Sequence, residues 1–222
     1  MKEHPILFST PMVQAILNGT KSQTRRVVKP QPKVVLAMYT DKSLETNCIF
    51  RKGDQRIHCP YGQVGSKLWV RETWRVGAWH EEKGIAVDYK ADNYCRKEWL
   101  AVDNGELFER LWRESTDEAS EVYGFKSRYK WESGQSPCRW RHSIFMPRWA
   151  SRITLEITDI RVQRLWEITD EDAKAEGIGA TEPLVFNDSY KDSYAWLWDK
   201  INKKHVWILN EWVWVISFKR VQ

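Results

Sequence analysis

The sequence predicts an α+β fold, and two observations carry this prediction. Alternating or continuous apolar residues, which mark buried strands, occur at Leu68–Trp74, Arg152–Ile157 and Trp212–Phe218. Helical spacing behind capping residues marks helices after Thr169 and after Ser189. A chain of 222 residues can bury a sizeable core, and we interpret residues 1–222 as a single domain.

The N-terminal part begins with a short helix. Thr10 followed by proline is a helix-start signal, and Gly19 ends the apolar face that follows. We therefore predict that Lys21–Arg26 leaves this helix as a loop with exposed side chains. Strand-like runs at Val34–Tyr39 and Cys48–Phe50 predict a hairpin.

The next strand places an acid among apolar residues. Leu68, Val70 and Glu72 share one face, so Glu72 points inward. Two interpretations stay open: Glu72 is an acid in a binding pocket, or it is a buried acid paired with an arginine.

The middle of the chain contains one clear strand and one weaker helix. Gly84–Tyr89 has a strand pattern. Glu106–Trp112 has a helical pattern, but the polar run Ser115–Ser120 weakens it, so we expect only a short helix. Trp131–Pro137 is predicted to be a loop.

The C-terminal part combines a long strand with two helices. The strand pattern of Arg148–Leu165 changes phase near Thr158, which predicts a bulge or turn. Thr169 caps a helix that Gly177 closes. The aromatic stripe of the helix Ser189–Ile201 is assigned to the core.

Composition excludes several classes of function. No apolar stretch is long enough to span a membrane, and residues 1–5 lack the pattern of a signal peptide, so we expect a cytoplasmic protein without a membrane partner. The four cysteines form no Cys-x-x-Cys pair, so we predict neither a metal site nor a cofactor. The sequence also lacks the motifs of nucleotide triphosphatases, nicotinamide enzymes, serine hydrolases and zinc proteases.

The net charge of +5 is unevenly distributed. Residues 126–152 carry seven cations against one acid, whereas residues 103–121 carry seven acids against two arginines. Because cations neutralise phosphate and aromatic rings stack on unpaired bases, the basic segment is a candidate nucleic-acid surface. Alternatively, its aromatic residues belong to the core and its charges only face solvent. Together with Arg25, Arg26 and Arg71, the candidate binding residues are Arg139, Arg141, Arg148, Trp140 and Trp149.

Four segments, in order, resemble the ASCH domain family. Gly19–Arg26 fits the family signature Gly-x-Lys-x-x-(Glu/Thr)-x-Arg, and Gly65–Glu72 resembles its Gly-Asp-x-Leu/Ile-x-Val-Arg-Glu strand with Ser66 in place of the aspartate. Ile168–Gly177 resembles the family's acidic helix, and Trp212–Phe218 its closing strand. The resemblance covers residues 4–30, 60–76 and 148–220. The whole chain is similar to the longer, Trp-rich ASCH proteins of bacteriophages and prophages.

This resemblance implies a PUA-like (ASCH) β-barrel with short flanking helices and a central insertion at 77–145. The three strands named first would then share one closed or nearly closed barrel. Some small ASCH proteins are amidohydrolases that remove the acetyl group from acetylcytidine, with residues that match Lys21, Thr24 and Glu72. Thr24, where many members have Glu, favours this subgroup, whereas the length of the chain does not.

The chemistry of this set leaves binding and catalysis open. A threonine hydroxyl becomes a nucleophile only when a base takes its proton, and Lys21 can be that base only if burial lowers its pKa. Glu72 would orient the ammonium or shuttle a proton. If the set is not catalytic, we expect that Lys21, Arg25 and Arg26 contact phosphates and that Glu72 pairs with Arg26.

We therefore carry three hypotheses of function. The leading one is an RNA- or modified-nucleoside-binding protein with a pocket lined by Lys21, Thr24, Arg26 and Glu72. The alternative is hydrolysis of an acylated pyrimidine nucleoside such as acetylcytidine. A further alternative is a phage accessory protein that binds a host protein through its insertion.

Overall fold

The computed structural model describes residues 3–32, 38–41, 46–50, 56–95, 98–126, 128–179 and 189–221. Strands and helices both contribute, so the α+β prediction is confirmed. The chain divides into two compact units. The first comprises residues 1–6, 14–69 and 153–222, and the second comprises residues 7–13 and 70–152. The predicted insertion at 77–145 lies within the second unit.

Ten strands and four helices are present in the described residues. The strands are β1 (Glu3–Leu7), β2 (Gln23–Val27), β3 (Met38–Asp41), β4 (Thr46–Phe50), β5 (Arg56–His58), β6 (Lys67–Arg71), β7 (Trp74–His80), β8 (Gly84–Tyr89), β9 (Thr154–Arg164) and β10 (Trp212–Arg220). The helices are α1 (Thr10–Leu17), α2 (Gly105–Tyr123), α3 (Asp170–Ala175) and α4 (Tyr190–Ile201).

The first unit is built on a five-stranded sheet with the order β1-β6-β9-β10-β2. The three strands that the sequence predicts to belong together, β6, β9 and β10, are neighbours in this sheet. The predicted bulge is also present, because Ser217 pairs with Asp159 while Phe218 pairs with Ile157, which skips Thr158. Among the described strands, β1 and β2 are the edges, and no pairing closes the sheet into a barrel.

A second sheet, of β3, β4 and β5, belongs to the first unit. The pairing of Met38–Asp41 with Thr46–Phe50 confirms the predicted hairpin in part. The start of its predicted first strand, residues 34–37, lies outside the described residues.

The core of the first unit forms where α3 and α4 pack on β10. Val213 and Val215 point to the same side of β10, as the two-residue period of a strand requires, and belong to one buried cluster with Tyr194 and Trp198 of α4. The aromatic stripe of α4 is therefore core, as predicted. Ile201 departs from the prediction and is 48% exposed, because it is the last residue of the helix.

The second unit contains the hairpin β7–β8 and the helix α2, which is longer than predicted. Its buried residues Leu111, Ser115 and Ala119 follow each other at a spacing of four, so the polar run continues one packed face of the helix. The Thr116 hydroxyl donates to the carbonyl of Trp112 at 2.9 Å and so meets its hydrogen-bonding need within the helix. The helix therefore continues through small and hydroxylated residues, because the packing of its buried face outweighs their weak helix propensity.

In the part of the chain that the structure describes, no helix combines the length and the apolar character needed to cross a membrane.

Candidate functional site

The segment with the ASCH-like signature is buried, which corrects the prediction of a loop with exposed side chains. Lys21, Thr24 and Arg25 are only 3%, 1% and 2% exposed. The reason is that Gln23–Val27 forms β2 and pairs with β10, while the backbone of Lys21 pairs with Glu176 at the end of α3. Strand pairing and the neighbouring helix together enclose the segment.

Glu176 is the partner of the Lys21 ammonium. Lys21 Nζ donates to Glu176 Oε2 at 2.7 Å and to the Glu176 carbonyl oxygen at 2.8 Å. Gly177 follows with φ of +94°, and a Cβ at this position would lie 3.4 Å from Lys21 Cβ and 3.0 Å from Ala15 Cβ. Burial lowers the pKa of the Lys21 ammonium, while the Glu176 carboxylate opposes this shift.

Arg25 extends this network toward α3. Its guanidinium donates to Asp172 Oδ2 at 2.7 Å, to Glu176 Oε1 at 3.4 Å and to Gln23 Oε1 at 2.6 Å. Arg161 donates to the other oxygen of Asp172 at 2.9 Å. Burial alone would raise the pKa of the Asp172 carboxyl, but Arg25 and Arg161 favour the ionised form and hold it below its ordinary value. Asp172 of α3 and Glu176, which directly follows the helix, thus neutralise the buried cations Lys21 and Arg25.

A pocket of about 250 Å³ opens in the first unit beside this network. The described residues that line it are Arg25, Arg26, Val27, Lys29, Pro60, Tyr61, Asn202 and His205. Arg26 and Lys29 supply positive charge from the end of β2 and the residues after it. Tyr61 supplies an aromatic ring, and Asn202 and His205 supply polar groups from the end of α4. Acidic side chains are absent from the described lining.

This pocket differs from the one predicted from the sequence. Of the residues predicted to bind a ligand, Arg25 and Arg26 line this pocket. Lys21 and Thr24 are enclosed in the core and do not belong to its lining. Glu72 belongs to the second unit, where its carboxylate forms an ion pair with Arg152.

His205 is held in place by hydrogen bonds on two sides. Its backbone N–H donates to the Asn202 carbonyl at 2.9 Å, and its carbonyl accepts from the Trp198 indole at 2.6 Å. Its ring nitrogen Nδ1 lies 2.7 Å from Glu211 Oε2. Because an ionised carboxylate only accepts hydrogen bonds, Nδ1 carries the proton of this contact. The ring therefore has a fixed orientation at the pocket.

Glu72 is a buried acid paired with an arginine, and the arginine is Arg152 of the second unit. Arg152 Nε and Nη2 each lie 3.0 Å from one oxygen of the Glu72 carboxylate, which is a bidentate pair. Arg152 also donates to Asp92 at 2.8 and 2.9 Å, and its guanidinium lies 4.2 Å from the ring centre of Tyr89. Burial raises the pKa of the Glu72 carboxyl, and Arg152 opposes this shift. The expected pairing of Glu72 with Arg26 is replaced by this contact.

The basic segment meets the acidic helix α2 within the second unit. Arg139 Nε lies 2.9 Å from Glu118 Oε1, and Arg141 Nη2 lies 3.2 Å from Glu114 Oε2. Arg141 is buried, and its guanidinium lies 5.7 Å from the ring centre of Trp74. The basic segment and the acidic helix are separate in the sequence, but in the fold they form ion pairs with each other.

The other candidate residues of the basic segment have mixed environments. Trp149 is half-buried and packs edge-on against Trp74, with ring centres 6.0 Å apart. Trp140 is half-buried beneath the Arg75 guanidinium at 4.5 Å. Arg148 is exposed, and Arg71 is half-buried at the end of β6.

Within the described ranges, no three His, Cys, Asp or Glu side chains come together in a way that could hold a metal ion. In comparisons with known proteins, no family model matches the chain, and neither a curated protein nor a solved structure matches it significantly. The ASCH resemblance therefore stays a prediction that rests on the motifs.

Sequence reasoning missed four residues that form the ion pairs and hydrogen bonds of these sites. Glu176 is the last acid of the helix motif Ile168–Gly177, and its position inside that motif was the signal that could have identified it. Arg152 was counted only as one charge of the basic segment. His205 and Glu211 pair across the short 3-10 helix Trp207–Leu209, a spacing that no strand or α-helix period predicts.

Proposed function

We propose that this chain is a PUA-like protein of the ASCH type that binds single-stranded RNA or a modified nucleoside in the pocket of the first unit. The observation that carries this proposal is the lining of the pocket, in which Arg26 and Lys29 face the same cavity as Tyr61. The pocket also adjoins the signature segment that carries the family resemblance.

The lining has the chemistry that unpaired nucleotides require. Lysine and arginine neutralise phosphate, and aromatic side chains stack on bases that are not paired. Asn202 and His205 can form hydrogen bonds with base or sugar groups, which gives selectivity. The pocket volume of about 250 Å³ is slightly below the usual range for small-molecule pockets, about 300–1,000 Å³.

Replacing Arg26 and Lys29 together with alanine is expected to weaken binding of a single-stranded RNA oligonucleotide and to flatten its salt dependence. Each phosphate contact contributes about 0.7 to the slope of log affinity against log salt for single strands, so the slope should fall by about 1.4. Fluorescence anisotropy at several salt concentrations measures this slope. Lys219→Ala is the matched control, because Lys219 is an exposed cation of the same unit outside the pocket lining.

The double variant Arg139→Ala with Arg141→Ala separates this proposal from binding by the basic segment. Because both arginines pair with carboxylates of α2, we expect that this variant leaves the slope of log affinity against log salt unchanged. A slope that falls with this variant and not with the Arg26 and Lys29 variant would contradict the pocket and favour the basic segment.

One observation favours the amidohydrolase alternative. Burial lowers the pKa of Lys21, which is the property that a lysine needs to take a proton from a hydroxyl. Thr24 belongs to the same buried segment. If this alternative is correct, the protein converts acetylcytidine to cytidine and acetate, as liquid chromatography would detect. Thr24→Val should then abolish turnover while Thr24→Ser retains part of it, and a wild-type protein without turnover excludes the alternative.

A further inference from the structure

We infer that the binding site of the first unit extends from its pocket onto the turn of residues 202–205, where Lys203 and Lys204 bind phosphates of a single-stranded RNA. This inference rests on the proposed function. It adds the class of ligand, which is a strand of several nucleotides and not a free nucleoside, and two residues that contact it.

Residues 202–205 form a tight turn at the rim of the pocket. The backbone N–H of His205 donates to the carbonyl of Asn202 at 2.9 Å, which is the hydrogen bond that closes a β-turn. Asn202 and His205 are the ends of this turn and line the pocket, and Lys203 and Lys204 are its central residues. Because consecutive Cα atoms are about 3.8 Å apart, each lysine begins next to a residue of the lining.

Trp198 of α4 holds both ends of this turn. Its carbonyl accepts from the backbone N–H of Asn202 at 2.7 Å and from the side-chain amide of Asn202 at 3.2 Å. Its indole donates to the carbonyl of His205 at 2.6 Å, and the residue is buried in the core of the first unit. The backbone of the turn is therefore fixed before a ligand binds, which lowers the entropic cost of binding.

The two lysines of the turn carry charges that no acid balances. Both are exposed, and within the described part of the chain neither side chain forms an ion pair or a hydrogen bond. The acids closest to the turn in the sequence have other partners. Asp199 accepts from a backbone N–H of the 3-10 helix after the turn, and Glu211 pairs with the ring of His205. Lys203 and Lys204 are therefore open to an anionic ligand.

The unpaired cations favour a strand over a free nucleoside. Lys29, in the pocket lining, is also exposed and has no ion-pair partner among the residues that the structure describes. A free nucleoside carries no phosphate, so it gains nothing from Lys29, Lys203 or Lys204. In a strand, a nucleotide in the pocket is linked to neighbours whose phosphates continue over the rim, where cations that follow the backbone contribute affinity. A single-stranded RNA thus uses all three charges.

The double variant Lys203→Ala with Lys204→Ala tests this inference in the full chain. For a single-stranded RNA of about ten nucleotides, we expect weaker binding and a slope of log affinity against log salt that is lower by about 1.4, since each phosphate contact contributes about 0.7. The difference in affinity from the wild type should therefore shrink about seven-fold between about 50 and 200 mM salt. Fluorescence anisotropy measures both quantities. Cytidine, titrated by calorimetry, should bind more weakly than this RNA, and equally to wild type and variant.

Two further double variants control for the shape of the turn and for net charge. Lys203→Arg with Lys204→Arg keeps both charges and should keep the slope of the wild type. Lys219→Ala with Arg220→Ala removes two adjacent exposed cations of the same unit that lie outside the pocket lining, and it should also keep this slope. Circular dichroism verifies that each variant has the fold of the wild type.

Three results would overturn the inference: a slope that the alanine variant of the turn leaves unchanged, an equal fall of the slope in the Lys219 and Arg220 variant, or equal affinity of the wild type for the RNA and for cytidine. If the slope depends on Arg26 and Lys29 but not on the turn, the inference fails and the proposed function stands. If it depends on the turn but not on Arg26 and Lys29, the pocket is not the site, and both fail.

Discussion

Glu176→Leu is expected to lower the free energy of unfolding by about 3–5 kcal/mol, because it leaves the Lys21 ammonium buried without its carboxylate. The two groups lie 2.7 Å apart, and their side chains are 0% and 4% exposed. Arg25 loses only its longer contact of 3.4 Å and keeps Asp172 at 2.7 Å. Urea denaturation followed by circular dichroism measures the loss.

The double variant Lys21→Met with Glu176→Leu separates the ion pair from general damage to the core. Replacing both charged groups with apolar side chains of similar size removes the unpaired charge, so most of the lost stability should return. A single Glu176→Leu variant that loses less than about 1 kcal/mol would show that water reaches Lys21 and that the segment is not enclosed as described.

Arg152→Ala, in the second unit, is expected to lower the free energy of unfolding by a similar amount, about 3–5 kcal/mol. The substitution leaves the Glu72 carboxylate, only 1% exposed, without the bidentate partner at 3.0 Å, and it removes the guanidinium from the ring of Tyr89. Urea denaturation gives the total loss, and the intrinsic fluorescence of the aromatic residues provides a second probe of the transition.

Arg152→Lys is the matched control for this prediction. Lysine keeps the charge but cannot form two parallel hydrogen bonds with one carboxylate, so it should recover part of the stability. Equal stability of the alanine and wild-type proteins would contradict the assignment of Glu72 as a structural ion-pair partner and would reopen its interpretation as a pocket acid.

Local signals predicted much of the fold. The N-cap of α3 was predictable because Thr169 Oγ1 can accept from the backbone N–H of Asp172, as it does at 3.1 Å. The inward position of Glu72 followed from strand alternation, and the bulge at Thr158 followed from the change of apolar phase. Each of these features depends on residues that are close in sequence.

The sequence could not predict which charges meet. Lys21 and Glu176 are 155 positions apart, and Glu72 and Arg152 are 80 positions apart, so no period links either pair. The burial of the signature segment has the same origin, because it depends on the pairing of β2 with β10. The pocket was missed in part because its lining comes from distant parts of the chain, such as Tyr61 and His205.

The most direct test of the proposed binding site is a titration of the isotopically labelled protein with a short single-stranded RNA, followed by the chemical shifts of its backbone amides. We predict that the largest shifts occur at Arg26, Lys29, Tyr61, Asn202 and His205, and that they saturate together with one dissociation constant. Shifts confined to residues 126–152, or no saturable shifts at any RNA concentration, would contradict the assignment of this pocket as the nucleotide-binding site.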